Sequence, residues 1–377
     1  MILLVYLPTK HLDSSALEVL LRLFNIIHFF KNIRMGKPKN RNAKKFNRID
    51  SEGTLHDTRV SKKKDSNLPY FLLGIATVLL VVYLSSGNSA ADKKNSAGKG
   101  NKKEGHNAAT KSDKIHKPKE ITDNVGNKYT ITRIFDRSYK CYTQGFYLNG
   151  KGEWLESCGI TGDSTVQRLT QDNANLKFLI TDGKKKDLKK EIFGEGIDEI
   201  KTANGERIFQ LTWQSMEVYE YDQELKLLKT HTLPKVIQEG WGITHDPADP
   251  ANKVYISDGT INIYEAKIDD KGLTVTRTIP VKDTDGSSMK FTNELEFIKG
   301  YIWANVYLTT WIVKIDPSNG KVVRKFNLEY LLNDSKKLKY LSYGDCLNGI
   351  AYDVSKKVWY LTGKYWPRVY EVVFDGE

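Results

Sequence analysis

Phe193-Gly194-Glu195-Gly196 places one carboxylate between two glycines, directly ahead of a run that reaches the strand pattern Ile208-Phe-Gln-Leu-Thr-Trp213. Alone, such a stretch reads as a tight turn carrying a solvated glutamate, because glycine accepts backbone conformations that other residues avoid. The chain repeats the arrangement. Tyr142-Thr-Gln-Gly, Glu239-Gly-Trp-Gly, Asn293-Glu-Leu-Glu and Leu347-Asn-Gly-Ile each precede a similar strand. With Gln144, Glu195, Trp241, Glu294 and Asn348 as anchors, the intervals are 51, 46, 53 and 54 residues.

Each repeat contains further short strands with turn residues between them. Second strands read as Trp154-Leu-Glu-Ser-Cys-Gly, Ile208-Phe-Gln-Leu-Thr-Trp, Val254-Tyr-Ile-Ser-Asp-Gly, Ile302-Trp-Ala-Asn-Val-Tyr and Val358-Trp-Tyr-Leu-Thr-Gly. Third strands follow at Val166, Val218, Ile261, Ile312 and Val369. Fourth strands cover Leu176–Ile180, Leu225–Leu233, Leu273–Val281 and Lys321–Leu328. Four strands in a unit of ~40–50 residues mark a β-propeller. The fold expected is therefore all-β, a five-bladed β-propeller over residues 121–377. The last unit lacks a fourth strand, and Tyr129–Phe135 is a strand left over at the front. It can complete the last blade and remove the open edge. A pair of β-sandwiches is the alternative architecture. First strands of propeller blades line the channel, so the five motifs are expected to converge on one mouth. Trp154, Trp303 and Trp359, in mid-strand, read as core; Trp213 and Trp241 read as mouth residues.

Charge separates the rest of the chain. Residues 1–120 hold 23 lysines and arginines against 10 acids; residues 121–377 hold 35 against 36. The basic character thus lies ahead of the propeller, which argues against a domain built to hold nucleic acid. Residues 68–86, LPYFLLGIATVLLVVYLSS, are uncharged. Leu68 to Leu84 would make a helix of ~25 Å, at the short end for crossing a bilayer. Lys62-Lys63-Lys64 precedes it, and Tyr70 and Tyr83 stand near its ends as interfacial aromatics do. A single transmembrane anchor is expected here, with residues 1–67 a basic, largely disordered cytosolic region. Residues 87–120 are polar and rich in Lys, Gly, Asn and Ala, which predicts a disordered basic stalk. Twelve Lys and Arg in 31–67 against nine in 87–120 place the large domain on the lumenal or external side, in the secretory pathway or at the cell surface. Asn333-Asp334-Ser335 is a glycosylation sequon usable only there.

Three cysteines, Cys141, Cys158 and Cys346, are too few for a disulfide scaffold. Cys141 and Cys158 lie 17 apart and leave either a disulfide or three buried thiols open. Of seven histidines only His231 and His245 fall in the C-terminal region, and no cluster has the spacing of a catalytic zinc site.

Nine motifs in order resemble the plant- and bacterial-type glutaminyl-peptide cyclotransferases, or glutaminyl cyclases. They are Tyr142-Thr-Gln-Gly, Phe193-Gly-Glu-Gly, Leu211-Thr-Trp, Glu239-Gly-Trp-Gly, Ser257-Asp-Gly, Asn293-Glu-Leu-Glu, Ala304-Asn-Val, Leu347-Asn-Gly-Ile-Ala and Thr362-Gly-Lys-Tyr-Trp-Pro. The resemblance spans residues 125–375 and implies a five-bladed propeller. It implies conversion of N-terminal glutamine in peptides and proteins to pyroglutamate, with release of ammonia. It puts the acid/base glutamate on Glu195, a wall aromatic on Phe193 and pocket tryptophans on Trp213 and Trp241. Polar contacts fall on Gln144 and Asn293, and the site lysine on Lys364. Tyr142 and Tyr307 stand where the family usually has Phe and Trp, which keeps an aromatic wall and adds two hydroxyls. The resemblance implies no catalytic metal or cofactor and leaves room for a structural calcium ion in the channel, with no ligands assigned.

The chemistry fits those residue types. The substrate α-amine must be neutral to attack its own γ-carboxamide, a modest demand near neutral pH. Expelling ammonia requires a proton on the leaving nitrogen. One carboxylate can take a proton from the attacking nitrogen and give it to the leaving one, help worth ~10²–10⁴-fold. Lys364, Gln144, Asn293 and an indole N–H are the donors available to the oxyanion. An apolar aromatic pocket raises the carboxylate's proton affinity and excludes competing water. Two other readings compete: a non-catalytic, membrane-tethered propeller that binds peptides, and a glycoside hydrolase with Glu239 or Glu294 as second carboxylate. The protein is expected to act as a monomer.

Overall fold

The computed structural model describes residues 117–377. The basic region 1–67, the anchor 68–86 and the stalk up to residue 116 lie outside the described residues. Among the described residues no helix is long and apolar enough to cross a membrane. Lys119 and Glu120, expected in the stalk, instead belong to a strand, Lys119–Thr122, paired antiparallel along Lys128–Arg137.

The described chain is all-β apart from one short helix. Four antiparallel meanders follow one another in order. The first comprises Thr143–Leu148, Trp154–Cys158, Thr165–Asp172 and Lys177–Asp187. The second comprises Gly194–Thr202, Gly205–Thr212, Glu217–Tyr221 and Leu227–Thr232. The third runs Ile243–His245, Val254–Ser257, Asn262–Asp269 and Gly272–Pro280; the fourth runs Thr292–Ile298, Tyr301–Val306, Trp311–Ile315 and Val322–Asn327. A fifth begins with Leu347–Asp353, Val358–Gly363 and Arg368–Phe374. Its fourth strand comes from the front of the chain: Lys128–Arg137 pairs with Arg368–Phe374 in the register Tyr129↔Phe374 and Phe135↔Val369. The end of that same strand reaches the first meander through Asp136↔Lys177 and Arg137↔Phe178. The first long strand and the last strand of the described residues are thereby tied into one unit.

The first strands of the five units adjoin in sequence, and Leu347–Asp353 returns to Thr143–Leu148. This closed, β-propeller-like ring depends on close approach. A Cβ at Gly145 would lie 2.5 Å from Ile197 N, one at Gly196 2.5 Å from Trp241 O, and one at Gly242 2.1 Å from Asn293 O. Each glycine directly follows an anchor residue. Neither Gly194 nor Gly196 has a positive φ. Their role is therefore clearance for the neighbouring strand rather than an unusual backbone conformation, which corrects the tight-turn reading of the isolated stretch.

The core is aromatic where the fifth unit meets the first and the fourth, and mainly aliphatic between the second, third and fourth units. Trp154 packs against Phe146, Phe178 and Tyr360, and Trp303 against Phe326, Trp359 and Phe374. All three mid-strand tryptophans are buried. Full burial of side chains this large is worth ~1.5–3 kcal/mol each. The helix Glu329–Lys336, unforeseen from the sequence, joins the fourth and fifth units. Its one turn of apolar contact, through Leu331, is too short to show a helical period. Tyr370 Oη donates to Leu331 O, and Arg368 pairs with Asp334. The sequon lies on this helix, with Asn333 exposed and Ser335 buried against the Tyr370 hydroxyl.

Cys141 and Cys158 form a disulfide, with a Cα–Cα separation of 5.2 Å, and Cys346 is a buried free thiol. Closing a loop of this size restricts the unfolded chain by about 3 kcal/mol. Cys158→Ser is expected to lower the midpoint of denaturant unfolding and to steepen its slope, because the unfolded chain is no longer held compact. Reduction of the parent chain should do the same, and Cys346→Ser should not.

Candidate active site

The anchor residues stand at the starts of the inner strands, and the ring brings them together. Glu195 is buried, at 5% exposure. Gln144 Nε2 donates to Glu195 Oε1 at 3.1 Å. Gln144 Oε1 accepts from Lys364 Nζ at 2.6 Å and from Asn348 Nδ2 at 3.3 Å. One amide, fixed in orientation by a lysine, thus presents its N–H₂ to the carboxylate. Lys364 is itself only 2% exposed. Glu195 Oε2, Asn293 Oδ1 and Asn348 Oδ1 are buried without a hydrogen-bond partner in the protein. Buried acceptors left open in this way are suited to a polar ligand.

Around this polar floor the aromatic residues close a circuit. Tyr142 meets Phe193 edge-on at 6.3 Å between ring centres, and Phe193 meets Trp213 at 5.7 Å. Trp213 Nε1 and Trp241 Nε1 both donate to Glu239 Oε2, at 2.6 and 3.0 Å. Trp241 meets Tyr307 at 5.7 Å. The Lys364 ammonium lies 4.8 Å from the Tyr307 ring centre and 4.7 Å from that of Tyr142, which completes the circle. Two glycines give these rings room: a Cβ at Gly159 would strike Phe193 at 2.4 Å, and one at Gly259 would strike Trp241 at 2.4 Å. The Tyr142 hydroxyl donates to Gly344 O at 3.2 Å and so ties the wall to the segment before the fifth unit.

Burial dominates the electrostatics. It raises the Glu195 carboxyl well above the usual range; Lys364 opposes this and Glu239 adds to it. Burial lowers Lys364, against the pull of Cys346 and Glu195. Tyr307 is pushed up to about 12, mainly by burial, and burial also pushes the Cys346 thiol up. The site therefore holds an acid and an amine whose proton affinities have been drawn toward each other.

The other acids of the channel are engaged elsewhere. Glu294 accepts Phe146 N–H at 3.2 Å and Ile350 N–H at 2.9 Å, bracing the fourth unit against the first and fifth. Asp198 is paired with His245 at 2.7 Å. Glu294 is thus a strut and Glu239 holds two indoles, so neither stands free as the opposed carboxylate that a glycoside hydrolase needs. Among the described residues, the one set of Cys, His, Asp and Glu atoms close enough to share an ion is Cys141, Glu156 and Cys158. The disulfide takes both sulfurs, and Glu156 is ion-paired with Arg137. A separate open cleft of about 580 Å³, lined in part by Arg168, Gln223, Lys184 and Lys356, holds none of the residues above.

Of the nine residues expected at the site, the contacts above join Tyr142, Gln144, Phe193, Glu195, Trp213, Trp241, Tyr307 and Lys364; Asn293 follows on the next inner strand, with its carbonyl accepting Ser257 Oγ at 2.6 Å and its Oδ1 buried and unpartnered. The sequence offers Asn348 as an anchor and Glu239 only as a second carboxylate, without the roles the structure shows for them. Both sit inside quoted motifs, but a motif does not reveal which side chain bridges two indoles or steadies an amide.

A buried acid of raised proton affinity, held by an amide and ringed by aromatics, makes this the candidate site of an acid–base enzyme on an all-β, propeller-like fold. Comparison with known proteins agrees. The sequence profile described as glutamine cyclotransferase matches residues 105–374. A glutaminyl-peptide cyclotransferase of Arabidopsis thaliana is 29% identical over 246 residues, covering 65% of this chain and 71% of its own length. The crystal structure of Myxococcus xanthus glutaminyl cyclase is 27% identical, with a TM-score of 0.55, covering 66% of this chain and 96% of that one. The chain belongs to the glutamine cyclotransferase family. It is accordingly an enzyme, with glutaminyl-peptide cyclotransferase activity.

Glu239 is expected to act through the walls. Glu239→Ala leaves two indole N–H groups without their charged acceptor, a loss of about 1.5–3 kcal/mol per bond. KM for a glutamine-initiated peptide should rise about tenfold or more, with a smaller change in kcat. Glu239→Gln, which keeps an acceptor, should recover most of that KM.

Proposed function

We propose that Glu195 carries both proton transfers in the conversion of an N-terminal glutamine to pyroglutamate, without a metal ion. The observation behind this reading is the Glu195–Gln144–Lys364 chain inside a closed aromatic wall. The ionised carboxylate accepts a proton as the α-amine attacks the γ-carboxamide carbon, and the C–N bond of the five-membered ring forms. The same carboxyl then delivers that proton to the carboxamide nitrogen as its C–N bond breaks and ammonia leaves. Raised proton affinity suits the second half of this cycle, because an ordinary carboxyl is too strong an acid to hold the proton between steps. Lys364, the Gln144 amide and Asn293 supply polar contacts to the carboxamide and to the oxyanion that develops from it. Phe193, Trp213, Trp241, Tyr142 and Tyr307 hold the substrate side chain in its cyclising rotamer and keep water away. A single carboxylate serves attack and departure, so the scheme contains no step that calls for a Lewis acid.

The whole chain is read as a five-bladed propeller on a disordered stalk, anchored by one membrane-spanning helix at 68–86 and acting as a monomer. Its catalytic domain would face the lumenal or external side. The uncharged segment supports the anchor, and the Cys141–Cys158 disulfide suits an oxidising compartment. The full chain should stay with membranes through alkaline extraction, whereas a chain beginning at residue 87 should be released.

The function is tested with a coupled ammonia assay on glutamine- and glutamate-initiated peptides. The parent chain should release ammonia from the first and none from the second, and Glu195→Gln should release none from either. Turnover by Glu195→Gln at the parent rate would remove Glu195 from the mechanism. A stability measurement keeps this result from being mistaken for misfolding. Burial raises Glu195 above its unfolded value of ~4.3, so the fold favours its protonated form. Its contribution is fully present below that value and is lost as pH rises toward the folded one. Glu195→Gln lacks this loss and should melt above the parent at pH 8, with a smaller difference at pH 4.

A further inference from the structure

The pocket closed by the aromatic circuit takes the first residue of a peptide, so everything after that residue must leave across the rim. The rim is unevenly built. Phe291 is 51% exposed and Tyr343 80% exposed, and both are joined to the pocket wall. Phe291 O accepts Tyr307 N–H at 2.8 Å, and Phe291 N–H donates to Gly259 O at 3.1 Å, beside the Trp241 ring. Tyr343 precedes Gly344, which accepts the Tyr142 hydroxyl, and is close enough to add to the raised proton affinity of Tyr307.

Several rim residues also have left-handed backbone, a conformation they share with Leu176 and Leu225 in turns between outer strands. Phe291 has φ 68°, Leu308 φ 62°, Tyr365 φ 58° and Ile160 φ 96°. These are large apolar residues in the left-handed region, where such side chains are rarely found. Leu308 and Tyr365 directly follow the site residues Tyr307 and Lys364, and Ile160 follows the Gly159 that seats Phe193. Glycine would serve these turns with less strain, as Gly259 does with φ 74° in the third unit. The rim instead keeps big apolar side chains in partly exposed positions, and a cluster of exposed apolar residues beside a pocket is a feature of contact surfaces.

We propose that Phe291 and Tyr343, with Leu308 and Tyr365 beside them, form a platform for the apolar side chain of the residue that follows the N-terminal glutamine, making peptides with a large apolar second residue the preferred substrates. The inference rests on the cyclotransferase reading above. Offset or edge contact between such rings and an apolar side chain adds attraction beyond simple burial. The platform acts on binding and leaves the proton transfers to Glu195, so its effect falls on KM.

The test compares glutaminamide, which has no second residue, with Gln-Gly, Gln-Phe and Gln-Asp peptides on the full chain. The parent should favour Gln-Phe over Gln-Gly by about tenfold in kcat/KM, through KM. Phe291→Asn retains a residue tolerant of left-handed φ, and Tyr343→Ala lies outside the strained positions. Each should reduce the Gln-Phe preference, and the double variant should bring it to within about twofold while still turning over glutaminamide. Equal specificity of the parent for Gln-Phe and Gln-Gly overturns the platform alone, as does a preference unchanged in the double variant. No turnover of glutaminamide by the parent overturns the cyclotransferase reading and the platform with it.

Discussion

The inner strands of the ring lie so close that a side chain beyond hydrogen cannot be fitted between several of them. At Gly145, Gly196 and Gly242 an added Cβ would fall within 2.5 Å of the next strand's backbone. Real carbon contacts do not reach such distances, so each substitution there would push two units apart. Because each of these glycines directly follows an anchor, the same clearance that closes the ring also sets where Gln144, Glu195 and Trp241 stand. Fold and site are therefore two consequences of one packing constraint. The Gly196 N–H bond to Trp241 O at 2.7 Å fixes the carboxylate strand to the strand that carries a wall tryptophan.

Enclosure then sets the chemistry. A carboxylate near the surface stays ionised and well solvated; Glu195 is denied that solvent and has only one amide contact on one of its oxygens. Lys364 compensates in part, but it is shared among Gln144 Oε1 and two tyrosine faces instead of forming a direct ion pair with the acid. A direct pair would lock Glu195 in its charged form. Interposing a neutral amide leaves it able to gain and lose a proton while remaining oriented. Glu239 adds negative charge behind the tryptophans and pushes in the same direction as burial.

Much of this was legible in the sequence. Alternating strands, a near-even repeat and one orphan strand before the first unit pointed to a closed all-β ring, and Lys128–Arg137 does complete the last unit. Anchor spacing placed Glu195, Gln144 and the wall aromatics on one mouth. What could not be read were relations across units. The bond from both indoles to one oxygen of Glu239 joins residues from different turns, and no linear period encodes it. The short helix Glu329–Lys336 was hidden for a different reason: it buries too few residues to show a period. Glu294 resembled a spare catalytic acid because its motif matches that of Glu195, yet its two oxygens are taken by backbone N–H groups of neighbouring strands. Glycine was read for its conformational freedom, when its lack of volume was what mattered.

The central claim is that enclosure raises the proton affinity of Glu195 above that of an ordinary carboxyl. Infrared difference spectroscopy of the full chain against Glu195→Gln measures this directly, through the carbonyl stretch of a protonated carboxyl. The account predicts a Glu195 band still present at pH 5, above the ordinary carboxyl value of ~4.3, that fades as pH rises, in step with the rise of kcat/KM. A Glu195 already ionised at pH 5, with no such band, would contradict it.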